Sequence, residues 1–263
     1  MSTMILRHRT PRLLWLAFLV GLIGCAQTPV APKQRALRVG INPSYPPVAF
    51  RLDRKVRGVE IDLATRLGAK LGREVRFVDL RWQRLIPTLV AGNIDIIMSG
   101  MTITKEREYQ IAFTEPYLKT GQMAALRIKD KKYFPTKESV LKTNANIGVV
   151  RGTTGDVFTE KHIPNARALR LTKVQDAPSE FKRESIDLFI YDAPAILWLV
   201  SSNEGELTNL SETFTEERLG WGVRRDNTKL LNQVNGILQT WKQDGTLNKV
   251  LDRWLPRRPR EPF

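Results

Sequence analysis

From Leu37 onward, short apolar runs alternate with stretches whose apolar residues recur at helical spacing. LRVGI (37–41) has the composition of a buried strand, and VAFRL and KVRGV read as a hairpin turning at Asp53-Arg54. Ile61, Leu63, Ala64, Leu67 and Leu71 then mark one face of a helix. VRFVDL is a strand, Gln83 to Val90 a helix, and IDIIM a second buried strand. The pattern restarts at NIGVV (146–150), followed by a Gly152-Thr153-Thr154 turn and a helix from Asp156 to His162. The strands ALRL and DLFIY (187–191) come next. LGWGVR precedes a last helical tract from Asn227 to Leu255, interrupted near Asp244-Gly245. Strands alternating with helices predict an α/β chain with mainly parallel sheets, here in two lobes.

The residues before this body belong to a different class. Arg7, Arg9 and Arg12 precede an apolar stretch from Leu13 to Gly24. About a dozen apolar residues are too few to span a ~30 Å hydrocarbon core but suit a secretory signal, expected over 1–24. The stretch ends Leu22-Ile23-Gly24-Cys25, which resembles a bacterial lipobox with Cys25 as the lipidated residue. A polar, Pro-bearing linker over 25–35 follows, as a tether requires. Cys25 is the only cysteine, so neither an internal disulfide nor a cysteine-based metal site is possible.

Charge changes the picture less than its size suggests. The formal net charge is +15, but the leader and the basic tail over 257–263 supply part of it. About +10 remains on the body, scattered singly, with no nucleic-acid-binding pattern. Attraction to an anionic envelope surface accounts for such a charge, and nucleic acid is not expected as a partner.

One stretch breaks a local rule. In MSGMTITKER (98–107) a strand runs into Ser99-Gly100, and a helix starts at Thr104 with Arg107 in its third position. A capping box wants Glu or Gln there, and the positive end of the helix dipole disfavours a cation. An anionic ligand would account for Arg107, whose planar fork can hold a carboxylate through two parallel hydrogen bonds. A second polar turn, Gly152 to Gly155, also lies between a strand and a helix, where backbone N–H groups favour anions.

These segments belong to a larger ordered set: LRVGINPSYPPVAF, GVEIDLATRLGAKLG, LIPTLVAGNIDIIMSGMTITKER, IAFTEPY, GVVRGTTG, IDLFIYDAPA and WKQDGTLNKVLDRW. In this order they resemble the bacterial extracellular solute-binding proteins, family 3, the polar amino-acid receptors of ABC importers. The resemblance implies a two-lobed, type II periplasmic-binding-protein-like α/β fold. Lobe one would take in 36–118 and 219–256, and lobe two 119–218. It assigns Arg107 to the ligand's α-carboxylate and Asp192 to its ammonium. Ser99, Gly100, Thr102, Thr153 and Thr154 would form the turns that supply hydroxyl and backbone donors. Tyr45 and Trp82 would wall the side-chain pocket. The implied partners are an amino acid, a membrane permease and the membrane itself through Cys25. The protein would be a monomer with no cofactor and no metal, periplasmic or at the cell surface.

Residue by residue, other roles stay open. Asp192 and Thr153 or Thr154 could cap helices, Tyr45 could brace a turn, and Trp82 could be ordinary core. Relatives with cationic ligands often carry an acid three residues before the pocket tyrosine, where this chain has Asn42. Without that acid a desolvated lysine or arginine side chain lacks its counter-charge, so a neutral polar or aromatic ligand is expected. Val48 stands where an aromatic is common, and Gly100 lacks the hydroxyl that some relatives offer. Cyclohexadienyl (arogenate/prephenate) dehydratases are a similar group and the alternative reading. They need a pocket acid to protonate a leaving hydroxyl. In that subgroup it is a glutamate one helical turn beyond the second-lobe aspartate, and here Ala195 takes the place. Glu60 or Asp156 could substitute for it, and after the leader His162 is the only histidine. A binder is expected, not an enzyme.

Overall fold

The computed structural model describes residues 35–255, together with Met1 and Thr3. The expected leader, Cys25, most of the linker and the basic tail lie outside the described residues. Two five-stranded sheets organise the body. In the first, Leu37–Ile41 pairs in parallel with Val75–Asp79 on one side and Ile96–Ile97 on the other. Gly222–Val223 then runs antiparallel to both Ile96–Ile97 and Ala112–Phe113. The second sheet repeats the plan. Asn146–Val150 pairs in parallel with Arg167–Leu171 and Leu188–Asp192, while Gln122–Arg127 runs antiparallel to Leu188–Asp192 and Leu207–Asn209. Each sheet is therefore mixed, because the strand entering from the crossover runs against its neighbours. IDIIM is less regular than its composition predicts, and only Ile96–Ile97 is strand.

The chain passes between the lobes twice, along Leu118–Thr120 and Glu217–Leu219, which pair antiparallel. The hairpin expected at Asp53-Arg54 forms between Ala49–Leu52 and Lys55–Arg57. Both turn residues have positive φ, 49° and 61°, as a two-residue loop matching the twist of its strands demands. The last helical tract divides into Thr228–Gln243 and Thr246–Trp254, with Gly245 at φ 78° in the break. These helices and Val59–Leu71 bury Val234, Leu238, Trp241 and Leu251 against the first sheet. No helix among the described residues is long and apolar enough to cross a membrane.

Candidate functional site

Each sheet presents a turn to the same cleft. In the first lobe, Thr104 caps the short helix Lys105–Glu108, its hydroxyl accepting the Arg107 N–H at 3.3 Å. Arg107 is thus at the helix position expected for it. One guanidinium nitrogen donates to Thr102 O at 2.8 Å, and the guanidinium carbon lies 5.3 Å from the centre of the Trp82 ring. Loss of water around it lowers the Arg107 pKa, an effect that the charges of Asp192 and Glu217 oppose. Gly100 has φ 66°, and a Cβ there would stand 2.5 Å from the Tyr45 ring. Backbone conformation and the packing of Tyr45 both require glycine. Ser99 Oγ accepts the Asn42 N–H at 2.8 Å, while the Asn42 amide donates to Leu80 O at 2.9 Å.

Behind this turn Glu60 is completely buried. It accepts from Gly100 N at 2.8 Å, the Tyr117 hydroxyl at 2.8 Å and the Trp221 indole N–H at 2.8 Å. Burial pushes its pKa up to about 7 against the pull of those donors. Asp156, the other spare acid, accepts from Gly152 N and pairs with Arg170 at 2.8 Å. Ala195 lies in the apolar cluster of the second lobe.

The second lobe supplies Asp192, the last residue of Leu188–Asp192. It occupies the N-cap position of the helix Ala193–Ser201, yet its side chain makes no capping hydrogen bond. Its carboxylate instead accepts the Tyr45 hydroxyl at 2.6 Å and the Gln122 amide at 2.6 Å. Burial, reinforced by the nearby charge of Glu217, raises the Asp192 pKa to about 7; Tyr45, Gln122 and Arg107 hold it back. Thr153 does not cap either: its hydroxyl donates to Val150 O at 2.7 Å. Further contacts cross between the lobes. The Trp82 indole donates to Gly152 O at 2.9 Å and the Gln83 amide to Arg151 O at 3.1 Å. The lobes are closed on one another.

Gln122 and Glu217, absent from the sequence-derived site, stand at its centre. Glu217 accepts the hydroxyls of Thr102 at 2.8 Å and Thr154 at 3.0 Å, so those two protons, expected to serve a ligand, go to a protein carboxylate. Gln122 Nε2 reaches Glu217 and Thr154, each at 3.0 Å, as well as Asp192. No local pattern marks either residue. Gln122 is 95 positions from Glu217 along the chain. Among the described residues no cluster of potential ligands for a metal ion occurs.

Two α/β lobes joined by two crossover strands, with a polar turn from each meeting at Gln122, Asp192 and Glu217, define a two-lobed solute receptor of the type II periplasmic-binding-protein fold. The chain belongs to the bacterial extracellular solute-binding proteins, family 3, whose model matches residues 37–257. It is similar to ABC transporter arginine-binding protein 1 of Escherichia coli, at 29% identity over 227 residues, 84% of this chain and 91% of that one. Among solved structures it resembles the ancestral amino acid-binding protein AncCDT-1, a precursor of cyclohexadienyl dehydratase. That match has 32% identity, TM-score 0.79 and coverage of 84% and 96% of the two chains. A binding component of an ABC transporter from Wolinella succinogenes, solved with lysine, matches at 29% identity and TM-score 0.80 over 84% and 96%. The family and these relatives are described as binding proteins.

Proposed function

We propose that this protein captures an α-amino acid between its lobes and delivers it to the membrane permease of an ABC importer. The observation that carries the reading is that Arg107 from one lobe and Asp192 from the other lie within reach of each other's charge where the closed lobes meet. A guanidinium and a carboxylate so placed complement the carboxylate and ammonium of a zwitterion. Arg107 takes the α-carboxylate, with Ser99, Gly100 and the Thr153-Thr154 turn around it. Asp192 takes the ammonium. Tyr45 and Trp82 wall the rest of the seat, and Asn42 in place of an acid favours a neutral polar or aromatic side chain. A cationic side chain is the second reading, favoured by the arginine- and lysine-binding relatives.

The lobes take in 36–118 with 219–256, and 119–218. Contacts that a ligand makes only when the lobes are closed shift the open–closed balance by their differential affinity. Lipidation of Cys25 would hold the monomeric receptor at a membrane, since several acyl chains anchor stably where one does not. Calorimetric screening of the standard amino acids against wild type and Arg107→Ala tests the reading. Binding by wild type and its loss in the variant are expected, and tight binding retained by Arg107→Ala would remove the central claim. Formation of phenylpyruvate or phenylalanine from prephenate or arogenate would instead make the protein an enzyme.

A further inference from the structure

Glu217 lies on neither ligand-facing turn, yet both converge on it. One carboxylate oxygen accepts the hydroxyls of Thr102 and Thr154, at 2.8 and 3.0 Å. The other accepts the Gln122 amide and the Thr215 hydroxyl, each at 3.0 Å. A carboxylate has about four lone-pair sites, so these donors fill it and leave nothing for a ligand. Among the described residues Asp192 accepts from Tyr45 and Gln122, which leaves room for an ammonium. The two acids therefore have different roles.

A continuous run of hydrogen bonds connects the proposed ligand-binding ends. It passes from Arg107 to Thr102 O, from the Thr102 hydroxyl to Glu217, and through Gln122 to Asp192. Its midpoint is fixed to the crossover strand Glu217–Leu219, and Leu219 also bridges to Thr102 through the backbone. The geometry points to Glu217 as the positioning residue that sets the span between Arg107 and Asp192, confining the seat to ligands whose amine and carboxylate share one carbon. This assignment rests on the amino-acid reading above.

Glu217 also bears on Asp192 electrostatically. The charged and titratable groups around Asp192 are Glu217, Arg107, Tyr45, Tyr191 and Tyr117. Glu217 is the neighbour whose charge opposes ionisation of Asp192. Neutralising it lets Asp192 ionise at lower pH, which a residue of purely architectural role would not bring about.

The test is calorimetry of the intact protein with the standard α-amino acids, then with the β-homologue of the strongest ligand. In Glu217→Gln the threonine hydroxyls can turn to accept from the new amide, which preserves the fold. This variant should bind the α-amino acid about tenfold more weakly and the β-homologue within about twofold of wild type, a coupling expected of groups in one network. The acid limb of its binding profile should move to lower pH. Glu217→Asp keeps the charge and changes the reach, so it should lose selectivity with the acid limb unmoved; it serves if the glutamine variant does not fold. An unchanged α-to-β ratio in a folded variant overturns the assignment and leaves the amino-acid reading standing. Failure of wild type to bind any amino acid overturns both.

Discussion

The Tyr45 hydroxyl donates to the Asp192 carboxylate at 2.6 Å, joining the short first-lobe strand Ser44–Tyr45 to the end of a second-lobe strand. The bond is buried, and the Tyr45 ring meets the Tyr191 ring edge-on with centroids 5.1 Å apart. A hydrogen bond to a charged group of this kind contributes about 1.5–3 kcal/mol. Tyr45→Phe keeps the ring and loses that bond. It should weaken ligand binding by roughly tenfold or more and raise the Asp192 pKa further, since the bond favours the ionised form. Calorimetry across a pH series measures both.

As the proposed partner of the ligand's ammonium, Asp192 should make binding pH-dependent. Its carboxylate must be charged to hold an ammonium, and its pKa in the closed cleft is about 7. Affinity should therefore fall as pH drops below about 7, by at most about tenfold per pH unit for one linked proton. Asp192→Asn should bind weakly with a flat profile. A wild-type affinity that does not change between acid and neutral pH would contradict this assignment.

Glu60 predicts a pH dependence of stability that is independent of ligand. Its folded-state pKa is raised from 4.5 to about 7, so between those values the native state holds a proton that the unfolded chain releases. The stabilising contribution is full at low pH and disappears as pH rises through about 7, a span of about 3 kcal/mol. Glu60→Gln removes this slope. It also leaves one or more of Gly100 N, Tyr117 and Trp221 without an acceptor, at a cost of about 1–3 kcal/mol each. Denaturant midpoints from pH 5 to pH 8, compared between the two proteins, give the difference.

Gly100→Ala sets a side chain against the Tyr45 ring at a left-handed backbone position. Strain and overpacking should destabilise the protein by about 1–3 kcal/mol and displace Tyr45 from Asp192. Urea unfolding reports the first effect, and reduced ligand affinity in the still-folded variant reports the second.

What could be read from the chain beforehand divides along a physical line. Thr104 capping and Arg107 at the third helical position are local, and three or four residues suffice to see them. The two-lobed plan also follows from local periodicity. Asp192 was visible through family resemblance alone, and its hydrogen bonds rather than a capping role explain it. Gln122 and Glu217 left no trace, because every partner that gives them meaning except Thr215 is distant in the chain. Glu60 was visible only as a spare acid. An acid in the first turn of Val59–Leu71 reads as an ordinary complement to the helix dipole. Its burial beneath the Gly100 turn comes only from the tertiary fold.

The first sheet is assembled from both ends of the body. Ile96–Ile97 finds its antiparallel neighbour only in Gly222–Val223, and the apolar face over Leu37–Ile41 is covered by Thr228–Gln243 and Thr246–Trp254. Every strand of the second sheet lies between these segments in the chain. During synthesis the second lobe therefore has all its pieces while the first still waits for its last strand and helices. The lobe that begins first is completed last, and the crossover carrying Glu217 must emerge before the final strand and helices can close it.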